Sequence, residues 1–220
     1  MDKELSKITD NRTVSGQKYH AKKASIQTAS GLLVTPLNIT KDQVRTTDII
    51  HSLCTKCRFT GHTSDFSGAG AGFYSVGQHS VLVSIVAQHL SIERGLPLFK
   101  VLYNAAWGLF HDSDEAYLPD FPTPLKVLPL FAPLRKAGIR ARNAAMDHLE
   151  LGRDEPPIVK EADRILLVTE KRDLMLPCET WSIVYKDKPR DEKIVPMNPD
   201  EAHEFFVARY RTIFGELPKS

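Results

Sequence analysis

The chain has 220 residues, 42% of them hydrophobic, and a formal net charge of +2 at pH 7. That length and apolar content can bury one good core, which predicts one domain rather than two. The near-neutral balance carries no nucleic-acid or membrane preference, no apolar run reaches membrane-spanning length, and Met1-Asp2-Lys3-Glu4-Leu5 lacks the apolar block of a secretory signal, so the expected location is the cytoplasm.

Residues 1–45 read as an N-terminal extension packed on the core: irregular, basic and rich in Ser and Thr. One short apolar run, Gly31-Leu32-Leu33-Val34-Thr35-Pro36-Leu37-Asn38-Ile39, predicts an isolated strand or hairpin there. The core, residues 46–220, is mainly α. Apolar periodicity predicts helices near 46–57, 76–92, 97–114, 133–150, 158–176 and 199–214, a helical bundle with a short irregular or β region at its N-terminus. The last helix has the clearest start, with Asn198 as N-cap, Pro199 at the first position and Asp200 and Glu201 in the first turn. Ala202, Phe205, Phe206, Tyr210 and Ile213 then form its core-facing stripe. The charged, proline-containing segment between 184 and 199 predicts a surface loop or short hairpin.

Three cysteines make no disulfide framework. Cys54 and Cys57 share a predicted helical face with Ile50 and Leu53, so burial as small hydrophobes is expected rather than a zinc knuckle or redox pair. The Gly-rich stretch Ser67-Gly68-Ala69-Gly70-Ala71-Gly72 has no preceding β-branched strand and no G-K-[ST], which makes it a loop near a site mouth rather than a phosphate-binding loop. His62, just before it, is an exposed loop histidine or a phosphate contact. Arg135, Lys136, Arg140 and Arg142 form a basic helix face that suits solvent, a polyphosphate tail or a subunit interface.

Chemistry concentrates in Leu109-Phe110-His111-Asp112-Ser113-Asp114-Glu115 and the following Asp120-Phe121-Pro122-Thr123-Pro124-Leu125-Lys126. An adjacent imidazole and carboxylate at the polar end of an apolar helix offer donors to one divalent ion, and the acid three residues on can handle a proton. Two further donors sit where surface donors should not. His79 lies on the face of Leu82 and Val83, and Asp163 shares a face with Val159, Leu166, Leu167, Glu170 and Leu174, so both point inward. A buried carboxylate requires a cation, an Arg or a metal. Two His and two Asp on three predicted helices read best as one site.

This order of donors resembles the HD-domain metal phosphohydrolases, most closely the branch that holds bacterial 5′-deoxynucleotidases and phage deoxyadenosine triphosphate triphosphohydrolases. The resemblance runs from about Thr46 to Met175 and rests on "YSVGQHSVLVS", "LFHDSDEAYLPDFPTPLK" and "KEADRILLVTEKRDLM". It implies a helical HD-domain fold, metal ligands His79, His111, Asp112 and Asp163, and catalytic Glu115 and Asp120. Arg58 in "CRFTGHT" matches a phosphate-contacting arginine, although "SDFSGAGAG" makes the Arg58–His79 spacing longer than in the bacterial enzymes. Lys126 is a second expected phosphate contact, with His62 beside it. The resemblance implies a deoxynucleotide substrate and one divalent transition metal such as Zn, Co or Mn. It favours deoxynucleoside triphosphates, dATP first, cleaved to deoxynucleoside and triphosphate; the basic cluster and the long loop add room and charge for such a tail. The alternatives are a 5′-deoxynucleotidase acting on monophosphates and a nucleotide-binding regulator without turnover. A homo-oligomer is expected, with neither long nucleic acid nor membrane as partner.

Overall fold

The computed structural model describes residues 12–14, 17–19, 25–64, 72–178 and 186–218. Six helices carry the architecture: α1 (Thr46–Thr55), α2 (Val76–Glu93), α3 (Leu98–Phe110), α4 (Ala132–His148), α5 (Pro157–Leu174) and α6 (Pro199–Phe214). Two antiparallel ribbons precede them, β1 (Arg12–Val14) with β2 (Gln17–Tyr19) and β3 (Ile26–Gln27) with β4 (Leu33–Val34). The expected mainly α bundle with a small N-terminal β region is therefore what forms. The apolar run at 31–39 supplies β4 and then a 3-10 turn at Pro36–Asn38, while Val34, Ile39 and Val44 are buried in the same hydrophobic cluster as the helices.

Helices α2 and α3 form the central pair, with α5 and α6 packed against α2. Gly108 on α3 makes the pair close: a Cβ there would lie 2.9 Å from Ser84 Cα on α2. Only a residue without a side chain permits that approach. Trp107, Leu109 and Phe110 are fully buried, each burial contributing roughly 1.5–3 kcal/mol or more. Phe110 meets Phe206, Tyr210 and Phe214 of α6 edge to face at 5.6, 6.1 and 5.9 Å. That aromatic cluster anchors the last turn of α3, one residue before His111. Asn198 caps α6 as expected, accepting from the N–H groups of Asp200 and Glu201 at 3.0 Å, while Glu201 accepts from Asn198 N–H at 2.9 Å.

Helices α1 and α3 end earlier than the sequence reading places them. Helix α1 stops at Thr55, so Cys57 leaves the helical face, sits half-buried and bridges to Ser75. Only Cys54 is the buried hydrophobe expected, its thiol pushed up to about 12 by burial. Helix α3 stops at Phe110 with His111 as its C-cap, and a 3-10 turn at Ser113–Ala116 continues the chain. No strand forms among described residues 186–198; that segment is held by Gln78, whose Nε2 donates to Val195 O at 2.7 Å and whose Oε1 accepts from Met197 N–H at 3.0 Å.

Candidate metal centre

Ser75 starts α2 by accepting from Gln78 N–H at 2.9 Å, which places His79 one turn inside the helix. His79 is fully buried and His111 nearly so, with ring centroids 5.2 Å apart. Their outer nitrogens are fixed by different partners. His79 Nδ1–H donates to Glu170 Oε1 at 2.5 Å, and His111 Nδ1–H donates to Gly108 O at 2.8 Å. A carbonyl oxygen can only accept, and Glu170 is held below the usual carboxylate range: burial raises it, but Arg58, His79 and the Tyr74 hydroxyl outweigh that. Both rings therefore carry their proton on Nδ1 and turn Nε2 inward. The two Nε2 atoms face each other at 3.3 Å. At that separation the two nitrogens need a cation between them, either a shared proton or a metal ion.

Carboxylates complete the ring of donors. Asp163 Oδ1 lies 3.2 Å from His79 Nε2 and 4.0 Å from His111 Nε2, while Asp112 Oδ2 lies 3.2 Å from His111 Nε2 and 3.8 Å from His79 Nε2. Bonds of about 2.0–2.2 Å to one ion put adjacent donors roughly 3.0–3.5 Å apart and opposite donors about 4.2 Å apart. The measured separations fall in that range. His79, His111 and Asp163 have ligand atoms all within 4.8 Å of one another, a group that can hold a metal ion. Asp112 lies beside both histidines but outside that group of three.

The electrostatics match a site built for positive charge. Burial lowers the pKa of His111, but the charge and hydrogen bond of Asp112, then Asp163 and the Gly108 carbonyl, hold it at about 10. Burial and the Arg58 guanidinium oppose protonation of His79, and Glu170 and Asp163 outweigh both, so its pKa is also raised. Burial alone raises Asp112 and Asp163; the histidines and Arg58 outweigh it and hold both below the usual range.

Asp163 is not the core-directed acid the helical pattern suggests. Its side chain is 41% exposed at the rim of the cluster, whereas Glu170, two turns further along the same face of α5, is fully buried. Sequence reasoning placed Glu170 on that face without giving it a role, and it gave Tyr74 none. Tyr74 OH donates to Glu170 Oε1 at 2.9 Å and Arg58 Nε donates to Glu170 Oε2 at 3.1 Å. Arg58, expected at a substrate phosphate, is engaged with three carboxylates: besides Glu170, Nη1 is 3.6 Å from Asp112 Oδ2 and Nη2 is 3.8 Å from Asp163 Oδ1. The turn after it is strained, with Phe59 and Thr60 at φ 53° and 57°. Such left-handed residues cost of order 1–3 kcal/mol each and gather at functional sites.

The 3-10 turn brings Glu115 back toward Asp112, its N–H donating to Asp112 O at 2.9 Å. Glu115 is buried; Oε1 accepts from Lys126 Nζ at 3.0 Å and Oε2 has no hydrogen-bond partner among the described residues. Burial, then the charges of Asp112 and Asp120, push its pKa well above the usual range despite Lys126. The Lys126 ammonium favours the carboxylate form, while burial and the neighbouring acids oppose it and outweigh it. Asp120 Oδ1 is 3.6 Å from the same Nζ, and Lys56 Nζ braces the turn from behind by donating to the carbonyls of Glu115 and Leu118. His62 is exposed at the end of the Arg58–Gly61 turn. Residues 65–71, most of the Gly-rich stretch, lie outside the described residues.

Two members of the basic cluster on α4, Arg135 and Arg142, are engaged. Arg135 Nη1 donates to the carbonyls of Lys126 and Leu128, and Arg142 Nη1 is 3.6 Å from Glu155 Oε2. Arg140, by contrast, keeps Nε and Nη2 buried without a hydrogen-bond partner among the described residues.

Fold and site together define a helical-bundle protein with a buried histidine–carboxylate cluster able to hold a metal ion. No family model matches the chain. It is 34% identical over 205 residues to the uncharacterized protein YfdR of Escherichia coli (strain K12), an alignment covering 88% of this chain and 97% of that protein, and it belongs to the YfdR family. Among the described residues no helix is long and apolar enough to cross a membrane.

Proposed function

We propose that this protein is a metal-dependent phosphohydrolase of deoxynucleotides. The observation that carries the reading is the pair of inward Nε2 atoms 3.3 Å apart, flanked by Asp112 and Asp163. When bound, a divalent ion there supplies Lewis acidity toward phosphate and a water of pKa near about 7 instead of about 15.7. Mixed His and carboxylate donors accept Zn, Co or Mn.

The chain's own residues supply the rest. His79, His111, Asp112 and Asp163 hold the ion, with Glu170 and the Gly108 carbonyl fixing both rings. Glu115 orients the attacking water or shuttles its proton, while Lys126 keeps Oε1 in place. Asp120, beside Lys126, protonates the leaving oxygen or grips the sugar. Arg58 and Lys126 neutralise phosphate, which requires their present carboxylate partners to release part of each cation. Hydrolysis at the 5′ oxygen gives a deoxynucleoside in either form of the reaction.

The sequence resemblance favours triphosphates, dATP first. A second reading, a 5′-deoxynucleotidase, is favoured by the engagement of Arg135 and Arg142, which leaves fewer cations for a long anionic tail. Chromatography of products from each dNTP and dNMP, with metal-loaded and chelated protein, tests both. Triphosphate plus deoxynucleoside supports the first and inorganic phosphate from monophosphates the second. Absence of any hydrolysis by the loaded protein rejects both in favour of a regulator.

A further inference from the structure

A pocket of about 210 Å³ lies beside the candidate metal centre, between the turn that carries Glu115 and the first half of α4. Lys126 belongs to both places: it lines the pocket and bonds Glu115. The remaining wall is mostly apolar, with Leu118, Phe121, Phe131, Leu134 and Ile139 among its residues, and Phe121 and Phe131 meet edge to face at 5.1 Å. Gly138 opens it. A Cβ at that position would lie 2.8 Å from Asp114 Oδ2, so glycine is what lets the Asp114 carboxylate stand at the wall of the pocket.

Inside the pocket the polar groups favour an uncharged occupant over a phosphate. Arg135, Arg142 and Lys126 each already face a carbonyl or carboxylate oxygen, and an anion entering would meet Asp114. The Asp114 carboxylate lies at the wall with the charges of Arg142 and Lys126 acting on it, and Arg142 Nε is a buried donor without a hydrogen-bond partner among the described residues. The volume is below the roughly 300 Å³ at which drug-sized ligands begin. It suits one planar ring system with its sugar edge, not a whole nucleotide.

We propose that this pocket binds the nucleobase of the substrate: a planar heteroaromatic ring held between apolar walls, an N–H group on its edge donating to Asp114 and a ring acceptor facing Arg142. The phosphate end then lies toward Lys126 and the metal centre. This deepens the deoxynucleotide reading and rests on it for the choice of ring.

The test is calorimetric binding of 2′-deoxyadenosine, a ring and sugar without phosphate, to metal-loaded full-length protein. Ile139→Trp and Leu134→Trp each fill the pocket, and Leu98→Trp, on α3 and away from the pocket lining, is the control; metal content of each variant checks that it has folded. The expected result is binding by the wild type and the control, weakened at least tenfold in either pocket variant that retains metal. Equal affinity in the wild type and a metal-retaining pocket variant, or no binding by the wild type, overturns the proposal. Hydrolysis of dNTPs and dNMPs by the wild type is read in parallel. Binding at this pocket without hydrolysis removes the hydrolase reading and leaves the pocket; hydrolysis with nucleoside affinity indifferent to both tryptophans removes the pocket and leaves the hydrolase.

Discussion

Glu170 Oε1 accepts from His79 Nδ1 at 2.5 Å in a fully buried setting, and so determines which nitrogen of His79 faces the candidate metal centre. A carboxylate behind a metal-binding imidazole fixes its tautomer and raises its basicity, and removing such a partner typically costs about 10–100-fold in metal affinity. Glu170→Gln is expected to weaken metal binding by that factor in a chelator-competition assay. Unchanged affinity would make Glu170 only a counter-ion for Arg58.

Glu115→Gln should keep the fold and the metal and lower turnover by about 10²-fold or more, because it removes proton handling and little else. Single-turnover kinetics on the metal-loaded variant check this. Turnover near the wild-type rate would make Glu115 a structural residue of the 3-10 turn.

The histidines give the chelated protein a characteristic pH response. The folded-state pKa of His111, about 10, lies above the ordinary value of about 6.5. Its stabilisation is therefore fully present below about pH 6.5 and is lost as pH rises through about 10. A bound cation takes the proton's place and removes that decline. Denaturant midpoints should fall from pH 7 to 10 in chelated protein and stay level when it is loaded. Asp112, Asp163 and Glu170, all depressed, contribute above about pH 4 and lose that contribution on further acidification. A level midpoint from pH 7 to 10 in the chelated protein would contradict the electrostatic picture.

Gly108→Ala drives a Cβ to 2.9 Å from Ser84 Cα. Overpacking of this kind costs typically about 1–3 kcal/mol, and here it also displaces the carbonyl that orients His111. A lower denaturant midpoint together with weaker metal binding is the expected outcome. A variant as stable as the wild type would mean that α2 and α3 adjust without strain.

Much of this site is legible in the sequence because helical periodicity reports direction. It places His79 on an apolar face and His111 beside Asp112 at a helix end, and Asn198 marks the start of α6. Periodicity does not report depth. Asp163 and Glu170 share a face of α5, yet the rim acid is Asp163 and the buried one Glu170, because the depth of each turn depends on what packs over it. The Arg58–Glu170 contact joins residues 112 apart in sequence, and nothing local encodes it. Cys57 fails for a simpler reason: α1 ends two residues earlier than its apolar spacing suggests.

The central claim, one divalent ion held by His79, His111, Asp112 and Asp163, is tested most directly by elemental analysis after loading and desalting. The account predicts close to one ion per chain in the wild type and a large loss in both Asp112→Ala and Asp163→Ala, with helical content preserved in each. Full occupancy in both variants, or none in the wild type, would contradict it.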